Sequence, residues 1–127
     1  MASLREGLML QKGCVVSLVG AGGKTSLMFR LAREISAAGE TVLTTTTTKI
    51  FAPSPDQSPG MIIAGSITSI FDQANHLLNK HRHITAVASR LPDGDKLIGY
   101  PPEFIQELWN TRLFRWIIVE ADGAAAR

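Results

Sequence analysis

The residues best suited to chemistry are a short glycine run followed by a lysine and a threonine, residues 20–25 (Gly-Ala-Gly-Gly-Lys-Thr). Glycines lack a Cβ, so a backbone built from them can wrap closely around a phosphate and direct its N–H groups inward. A helix that begins at Lys24 adds unpaired donors and the positive end of its dipole. Lys24 would then reach the outer phosphates, and the Thr25 hydroxyl would ligate Mg²⁺. The predicted nucleotide-binding residues of this loop are Gly20, Ala21, Gly22, Gly23, Lys24, Thr25 and Ser26.

This run departs from the standard Walker A pattern, G-x-x-x-x-G-K-[ST], which requires a glycine where the chain has Leu18. The first glycine comes two residues later, at Gly20, so the loop is shorter and resembles the G-x-x-G-K-[ST] loop of Mur-type ligases. The structural alternative is an ordinary glycine-rich turn between a strand and a helix. We favour phosphate binding, because Gly-Gly-Lys-Thr stands between a buried apolar run and an amphipathic helix.

A pair of acidic residues, Glu120 and Asp122, follows a strand predicted over residues 116–119. In proteins that bind Mg²⁺ with a nucleotide, a carboxylate at the end of such a strand holds the metal or its bound water. Residues two apart in an extended chain point to the same side. The alternative is a plain Asp-Gly turn beside an exposed glutamate. We predict Thr25, Glu120 and Asp122 as metal ligands, and Lys24, Glu120 and Asp122 as catalytic residues.

A threonine-rich segment, residues 45–49, follows the second predicted strand and ends in Lys49. The carboxyl ends of parallel strands face the ligand crevice of an α/β sheet, so this segment should lie beside the glycine loop. We predict that Thr47 and Lys49 contact the ligand. A β-branched strand end with solvated hydroxyl groups is the alternative.

Hydrophobic patterning predicts an α/β fold, a mostly parallel sheet with flanking helices in a three-layer sandwich like that of P-loop NTPases. The first strand, residues 14–19, is almost entirely apolar and is predicted to be central and buried on both faces. Gly39 is predicted to end the first helix. The other predicted elements are helices at 24–38, 66–80 and 101–111, strands at 41–45, 61–64 and 84–89, a loop at 52–60, a hairpin around 92–95, and a helix or irregular cap at 3–10.

Length and composition indicate one globular domain, residues 1–127. A net charge of +2 without a basic block gives no reason to expect nucleic-acid binding, and no stretch has the length of a membrane span. The single cysteine, Cys14, lies in an apolar run and fits a buried thiol in a reducing compartment, so we expect a cytoplasmic location. His76, His81 and His83 cluster in sequence, but the first two fall near a polar helix end, which disfavours a metal site.

Four segments together resemble the YqeC-like family: residues 16–27, 44–49, 96–99 and 119–123. The resemblance runs from about residue 12 to the end and implies a P-loop NTPase-like protein. It further implies an accessory role in maturing a selenium-dependent molybdenum hydroxylase or its cofactor, with that enzyme or a cofactor-maturation protein as partner. Family members continue beyond their Glu-Ala-Asp-Gly segment, so this chain is expected to be an N-terminal fragment or a truncated gene product.

Several functions fit these residues at this point. The leading one is binding of Mg²⁺ with ATP or another nucleoside triphosphate, followed by hydrolysis or phosphoryl transfer. ATP is preferred because the guanine-reading Asn-Lys-x-Asp motif is absent. A ligase or kinase that activates a small molecule is suggested by the short loop. A non-catalytic module that carries a nucleotide or cofactor is the third, and turnover would distinguish it from the enzymes.

Overall fold

A computed structural model describes residues 13–20, 22–92 and 94–121 of the chain. The predicted helix or cap at residues 3–10 lies outside these described residues. The helices are α1 (Lys24–Ala37), α2 (Ile67–Leu77) and α3 (Pro102–Asn110). The strands are β1 (Val15–Leu18), β2 (Val42–Thr46), β3 (Lys49–Phe51), β4 (Gly60–Ile63), β5 (His83–Val87), β6 (Ser89–Arg90), β7 (Lys96–Ile98) and β8 (Trp116–Glu120).

The main sheet has five strands in the order β1-β8-β2-β5-β4, and every pairing within it is parallel. Neighbouring residues of a strand point to opposite faces. Leu43 and Ile117 belong to a core with α2 and α3, whereas Val42 and Ile118 belong to a core with α1. Helices therefore cover both faces of the sheet, as the hydrophobic pattern predicted.

The position of β1 corrects one prediction. It is an edge strand that pairs only with β8 among the described strands, and its residues alternate between exposed and half-buried. Val15 is 37% exposed. The interior strand beside it is β8, whose five residues are all buried. An apolar run shows that a strand can be buried, but the pairing order in the sheet decides whether it is.

The ends of the three helices follow local sequence signals. Gly39 adopts φ +89° just after α1, where its N–H bonds to the Ser36 carbonyl at 3.0 Å, so the predicted stop is confirmed. Ser66 caps α2 by accepting the Ser69 N–H at 3.2 Å. Pro102 opens α3. No helix of the described part of the chain is long and apolar enough to cross a membrane.

Helix α2 differs from its prediction in length and in one buried position. It ends at Leu77 rather than at residue 80. The hydrophobic pattern also predicts Phe71 on the apolar face of this helix together with Ile70 and Ala74. Ile70 and Ala74 are buried, but Phe71 is 40% exposed. The helix packs against the sheet beside its edge strand β4. Phe71 is next to the buried Ile70 in sequence and therefore points away from the face that packs on the strands.

A small antiparallel sheet, in the order β3-β7-β6, follows the carboxyl ends of β2 and β5. The predicted hairpin around residues 92–95 is confirmed as the β6–β7 pair. The strand β3 was not predicted, because three residues are too few to show the alternation of a strand. In the structure Ile50 is buried, and Lys49 and Phe51 are exposed. Ile50 and Leu97 bury one face of the small sheet in the core with α1.

Gly99 fixes the small sheet against β2. A Cβ at this position would overlap the carbonyl oxygen of Thr46. Two backbone hydrogen bonds hold the segments together: Gly99 N–H donates to Thr48 O at 2.8 Å, and Tyr100 N–H donates to Thr46 O at 2.9 Å. The close approach of two backbones explains why this position has no side chain.

We expect Gly99→Ala to lower the free energy of unfolding by about 2 kcal/mol or more, because the methyl group must displace one of the two packed backbones. Urea unfolding measures this change. Gly65→Ala is the matched control, since a Cβ there meets nothing within 4 Å and should change stability by less than about 0.5 kcal/mol. Equal effects of the two substitutions would show that the close approach at Gly99 is not constraining.

Candidate functional site between the glycine loop and β8

The loop between β1 and α1 is built from glycines in the left-handed region. Gly20 has φ +112°, Gly22 φ +73° and Gly23 φ +71°, conformations that residues with a Cβ adopt only at a cost. Ala21, the fourth predicted loop residue, lies outside the described residues. The glycines thus allow the chain to turn from the end of β1 into α1 within five residues, 19–23.

The amino end of α1 carries no competing acceptor. Its N-cap is Gly23, which has no side chain to cap the helix, and the first turn contains no acidic residue. The first intrahelical bond runs from Leu27 N–H to Gly23 O at 3.1 Å. The N–H groups of the first turn are therefore available to an anion, and the helix dipole favours negative charge there.

Lys24 and Thr25 reach across to the end of β8. Lys24 Nζ donates to the carbonyl oxygen of Ala121 at 2.8 Å. Thr25 Oγ1 donates to Glu120 Oε1 at 2.5 Å. These contacts join residues that are 97 and 95 positions apart in sequence, and they bring three of the predicted site residues into one cluster.

Glu120 is held by both neighbouring strands. It stands opposite Leu18 of β1 and Thr46 of β2 in the parallel register. Its carbonyl oxygen accepts the Thr46 hydroxyl at 2.8 Å and the Thr47 N–H at 3.1 Å. The residue is only 8% exposed, and its carboxylate projects toward the helix that follows the glycine loop. A buried carboxylate fixed in this way changes position little when a ligand binds.

The residues of this cluster suit Mg²⁺. The Thr25 hydroxyl and the Glu120 carboxylate both supply oxygen, the ligand that Mg²⁺ prefers, and they already lie within hydrogen-bonding distance of each other. Magnesium commonly takes one or two protein oxygens and completes its shell with phosphate oxygens and water. The donor set therefore fits the predicted metal together with a phosphate-bearing ligand.

Only some of the remaining predicted residues lie at this cluster. Thr47 lies at the cluster through its N–H bond to Glu120. Ser26 is exposed in the first turn of α1, and Lys49 is exposed on β3 with no recorded contact to the loop among the described residues. Asp122, the second predicted carboxylate, lies outside the described residues. Thr45 faces away from the cluster, with its hydroxyl donating to Ala86 O at 2.6 Å.

Sequence reasoning missed the side chain of Thr46. Its hydroxyl donates to Glu120 O and also accepts the Thr48 N–H at 3.0 Å, so it joins β8 to the turn after β2. Its carbonyl receives Tyr100 N–H, while the Tyr100 hydroxyl donates to Ala64 O at 2.7 Å. Burial raises the pKa of that Tyr100 hydroxyl. A run of identical threonines carries no signal that would distinguish this position from its neighbours.

The three histidines do not come together with other metal-ligating side chains in the described part of the chain. Within residues 13–20, 22–92 and 94–121, no group of three His, Cys, Asp or Glu side chains comes together. His76 is exposed in the last turn of α2, whereas His83 is buried in β5 with its ring centroid 6.0 Å from that of Phe29. Cys14 is half-buried and unpaired, and burial raises the pKa of its thiol.

A chain of buried hydrogen bonds determines which ring nitrogen of His83 carries the proton. Ser58 Oγ donates its only proton to Gly60 O at 3.1 Å, so in its bond with the Thr85 hydroxyl Ser58 must be the acceptor. The Thr85 hydroxyl therefore accepts from the Thr44 hydroxyl at 2.7 Å. The Thr44 hydroxyl then accepts from His83 Nε2 at 2.9 Å. Because each hydroxyl has one proton, this order assigns the Nε2–H tautomer. Burial lowers the pKa of the imidazole to about 4.

Comparison with known proteins shows one family. The family model described as YqeC protein matches residues 16–127. The uncharacterized protein YqeC of Escherichia coli (strain K12) is 35% identical over 116 residues. That alignment covers 87% of this chain and 41% of the relative, so the chain spans about two fifths of the relative's length. No solved structure matches the chain.

The buried neutral His83 predicts a pH dependence of stability. Its folded pKa of about 4 lies below its usual 6.5, so its contribution is complete above pH 6.5 and is lost as pH falls toward 4, by at most about 1.4 kcal/mol per pH unit. Chemical denaturation between pH 4 and 6.5 should show a free energy of unfolding that falls as the pH falls, and His83→Gln should remove this dependence. The exposed His76→Gln serves as control, and a slope unchanged in the His83 variant would contradict the assignment.

Proposed function

The chain belongs to the YqeC family, and we propose that it binds a nucleoside triphosphate with Mg²⁺ at the cluster formed by the glycine loop, Lys24, Thr25 and Glu120. The observation that carries this proposal is the 2.5 Å contact between Thr25 Oγ1 and Glu120 Oε1. A hydroxyl at the start of a helix after a glycine loop and a carboxylate at the end of the adjacent strand are the pair that Mg²⁺-nucleotide sites use. The finer fold assignment, a variant of the P-loop NTPase sandwich, is part of the same proposal.

The glycine loop and the first turn of α1 would hold the phosphates. Positive φ angles at Gly20, Gly22 and Gly23 keep the loop free of side chains, and the open helix end supplies N–H donors. The loop glycines described are all exposed, so a ligand can approach them from solvent. This arrangement binds phosphate through the backbone and therefore requires no particular base.

Lys24 supplies the mobile positive charge. Its Nζ is bonded to an uncharged acceptor, the Ala121 carbonyl, rather than to a carboxylate. Exchange of that carbonyl for a phosphate oxygen would replace an uncharged acceptor with an anionic one. Lys24 would then stabilise the charge that develops on a transferring phosphoryl group.

Glu120 would act at the other side of the phosphates. Bound Mg²⁺ would neutralise phosphate charge, and the Thr25 and Glu120 oxygens would hold it. The Glu120 carboxylate has a second oxygen beyond the one that Thr25 engages, and this oxygen can orient a water molecule. Hydrolysis or phosphoryl transfer is the reaction that these groups can support.

The wider role rests on the family resemblance alone. We propose nucleotide-dependent maturation of a selenium-dependent molybdenum hydroxylase or its cofactor, with that enzyme or a cofactor-maturation protein as partner and the cytoplasm as the location. The chain spans 41% of its relative, so turnover by the whole protein is also a proposal. Phosphate release under saturating Mg²⁺-nucleotide supports an enzyme, and binding without release supports a non-catalytic carrier.

We expect Lys24→Ala to weaken nucleotide binding by roughly tenfold or more, because it removes the charge that meets the outer phosphates. Calorimetric titration with Mg²⁺ and ATP, GTP or CTP measures this, and it also identifies the preferred base. Lys80→Ala, at an exposed position after α2, is the matched control and should bind normally. Binding of all three nucleotides with unchanged affinity by the Lys24 variant would refute the proposed site.

The substitution Thr25→Val distinguishes the contribution of metal binding to nucleotide affinity from the contribution of phosphate binding. The substitution keeps the shape of the side chain but removes the oxygen that contacts Glu120. We expect the variant to lose most of the gain in nucleotide affinity that Mg²⁺ gives the native chain, while binding in EDTA stays the same. If Mg²⁺ enhances binding equally in both proteins, Thr25 is not a metal ligand.

A further inference from the structure

The small sheet exposes an aromatic ring together with lysines. Phe51 is 64% exposed, the highest value among the large hydrophobic side chains of the described residues. Lys96 Nζ lies 4.5 Å from the centroid of its ring. Lys49 stands two residues earlier on β3, so it shares the same outer face of the sheet. These three side chains form a basic aromatic surface, which we call the β3 surface.

The backbone of β3 is also open on one side. Gly99 N–H bonds to Thr48 O, and Ala52 N–H bonds to Asp95 O, so the Thr48 carbonyl and the Ala52 N–H point toward β7, and the register places Ile50 in the same hydrogen-bonded alternation. In an antiparallel pair the intervening residues direct theirs outward. The N–H and C=O groups of Lys49 and Phe51 therefore face the free edge of the sheet, and no backbone partner for them occurs in the described part of the chain.

The charge of the β3 surface selects what can pair with this edge. Lysine on an edge strand discourages unspecific strand pairing, and pairing with a second copy of this chain would bring the lysines of both copies together. An incoming strand that carries carboxylates opposite these lysines would instead be attracted by opposite charge. Exposed Phe51 adds an apolar contact that an acidic strand with one apolar side chain can cover.

We propose that the β3 surface is the docking site of an extended acidic segment of a partner protein, which adds to the small sheet as a strand beside β3. Side chains two apart on the segment share the face that meets Lys49 and Phe51. The segment then has a carboxylate opposite Lys49 and an apolar side chain opposite Phe51, while Lys96, which stands opposite Phe51 on β7, adds positive charge to the same face. Main-chain bonds give affinity and these pairs give specificity.

This docking can be tested apart from nucleotide binding, although Lys49 is also predicted from the sequence to contact the nucleotide. It uses no residue of the glycine loop and none that contacts Glu120. The test is therefore made without nucleotide or Mg²⁺, and its result does not depend on the proposed function.

The experiment begins with a phage-displayed peptide library selected against the whole chain. We expect enriched peptides to carry an acidic and an apolar residue two positions apart. Binding of the synthesised consensus peptide should weaken by roughly tenfold or more when Lys49→Glu and Lys96→Glu are combined. Lys80→Glu combined with Arg82→Glu is the matched control, because both residues are exposed, lie before β5 and give the same change in net charge.

Amide hydrogen exchange tests the geometry. The Lys49 and Phe51 amides should exchange fast in the free protein and become protected with the peptide, whereas Ile50, already directed toward β7, should change little. Three results overturn the proposal: no enriched peptide, equal binding by the charge-reversed variant, or protection elsewhere. Binding of a thymidine dodecamer, lost in the same variant while no peptide binds, would assign the surface to single-stranded nucleic acid instead.

Discussion

The carboxyl end of β8 is held from both sides, and the candidate site depends on that constraint. Leu18 of β1 and Thr46 of β2 stand opposite Glu120 in register, and Ala121 N–H bonds to Leu18 O at 2.9 Å. A parallel ladder leaves little freedom to slide, because a shift by one residue would turn every side chain to the other face. The Glu120 carboxylate is thus directed at Thr25 by backbone pairing rather than by its own contacts.

Glycine provides the second constraint, and it acts in two different ways. At Gly22 and Gly23 the requirement is conformational, since both have positive φ and no atom lies within 4 Å of a Cβ built there. At Gly99 the requirement is spatial, because the Thr46 backbone occupies the place of a side chain. The first kind frees the loop of side chains for a ligand, and the second fixes the strand that carries Thr46 and Thr47 beside Glu120.

Much of this could be predicted from local sequence, and the remainder depends on pairing between distant segments. The glycine run, the helix from Lys24 and the acid at the end of β8 are local patterns, and the bounds of that helix and that strand were predicted within a residue or two. Among the described strands β1 pairs only with β8, and no pattern within residues 14–19 encodes this edge position. The threonine run shows the same limit, since the register alone directs Thr45 to Ala86 and Thr46 to Glu120.

Thr46 links the two sheets of the molecule. Its hydroxyl donates to Glu120, while its carbonyl receives the N–H of Tyr100, which follows β7. A displacement of β7 would therefore act on Thr46 and, through it, on the carbonyl of Glu120. Packed backbones of this kind transmit strain rather than absorb it, since a close-packed interior has low compressibility. The position of the Glu120 backbone therefore depends on contacts from both sheets, which meet at the Thr46 backbone and side chain.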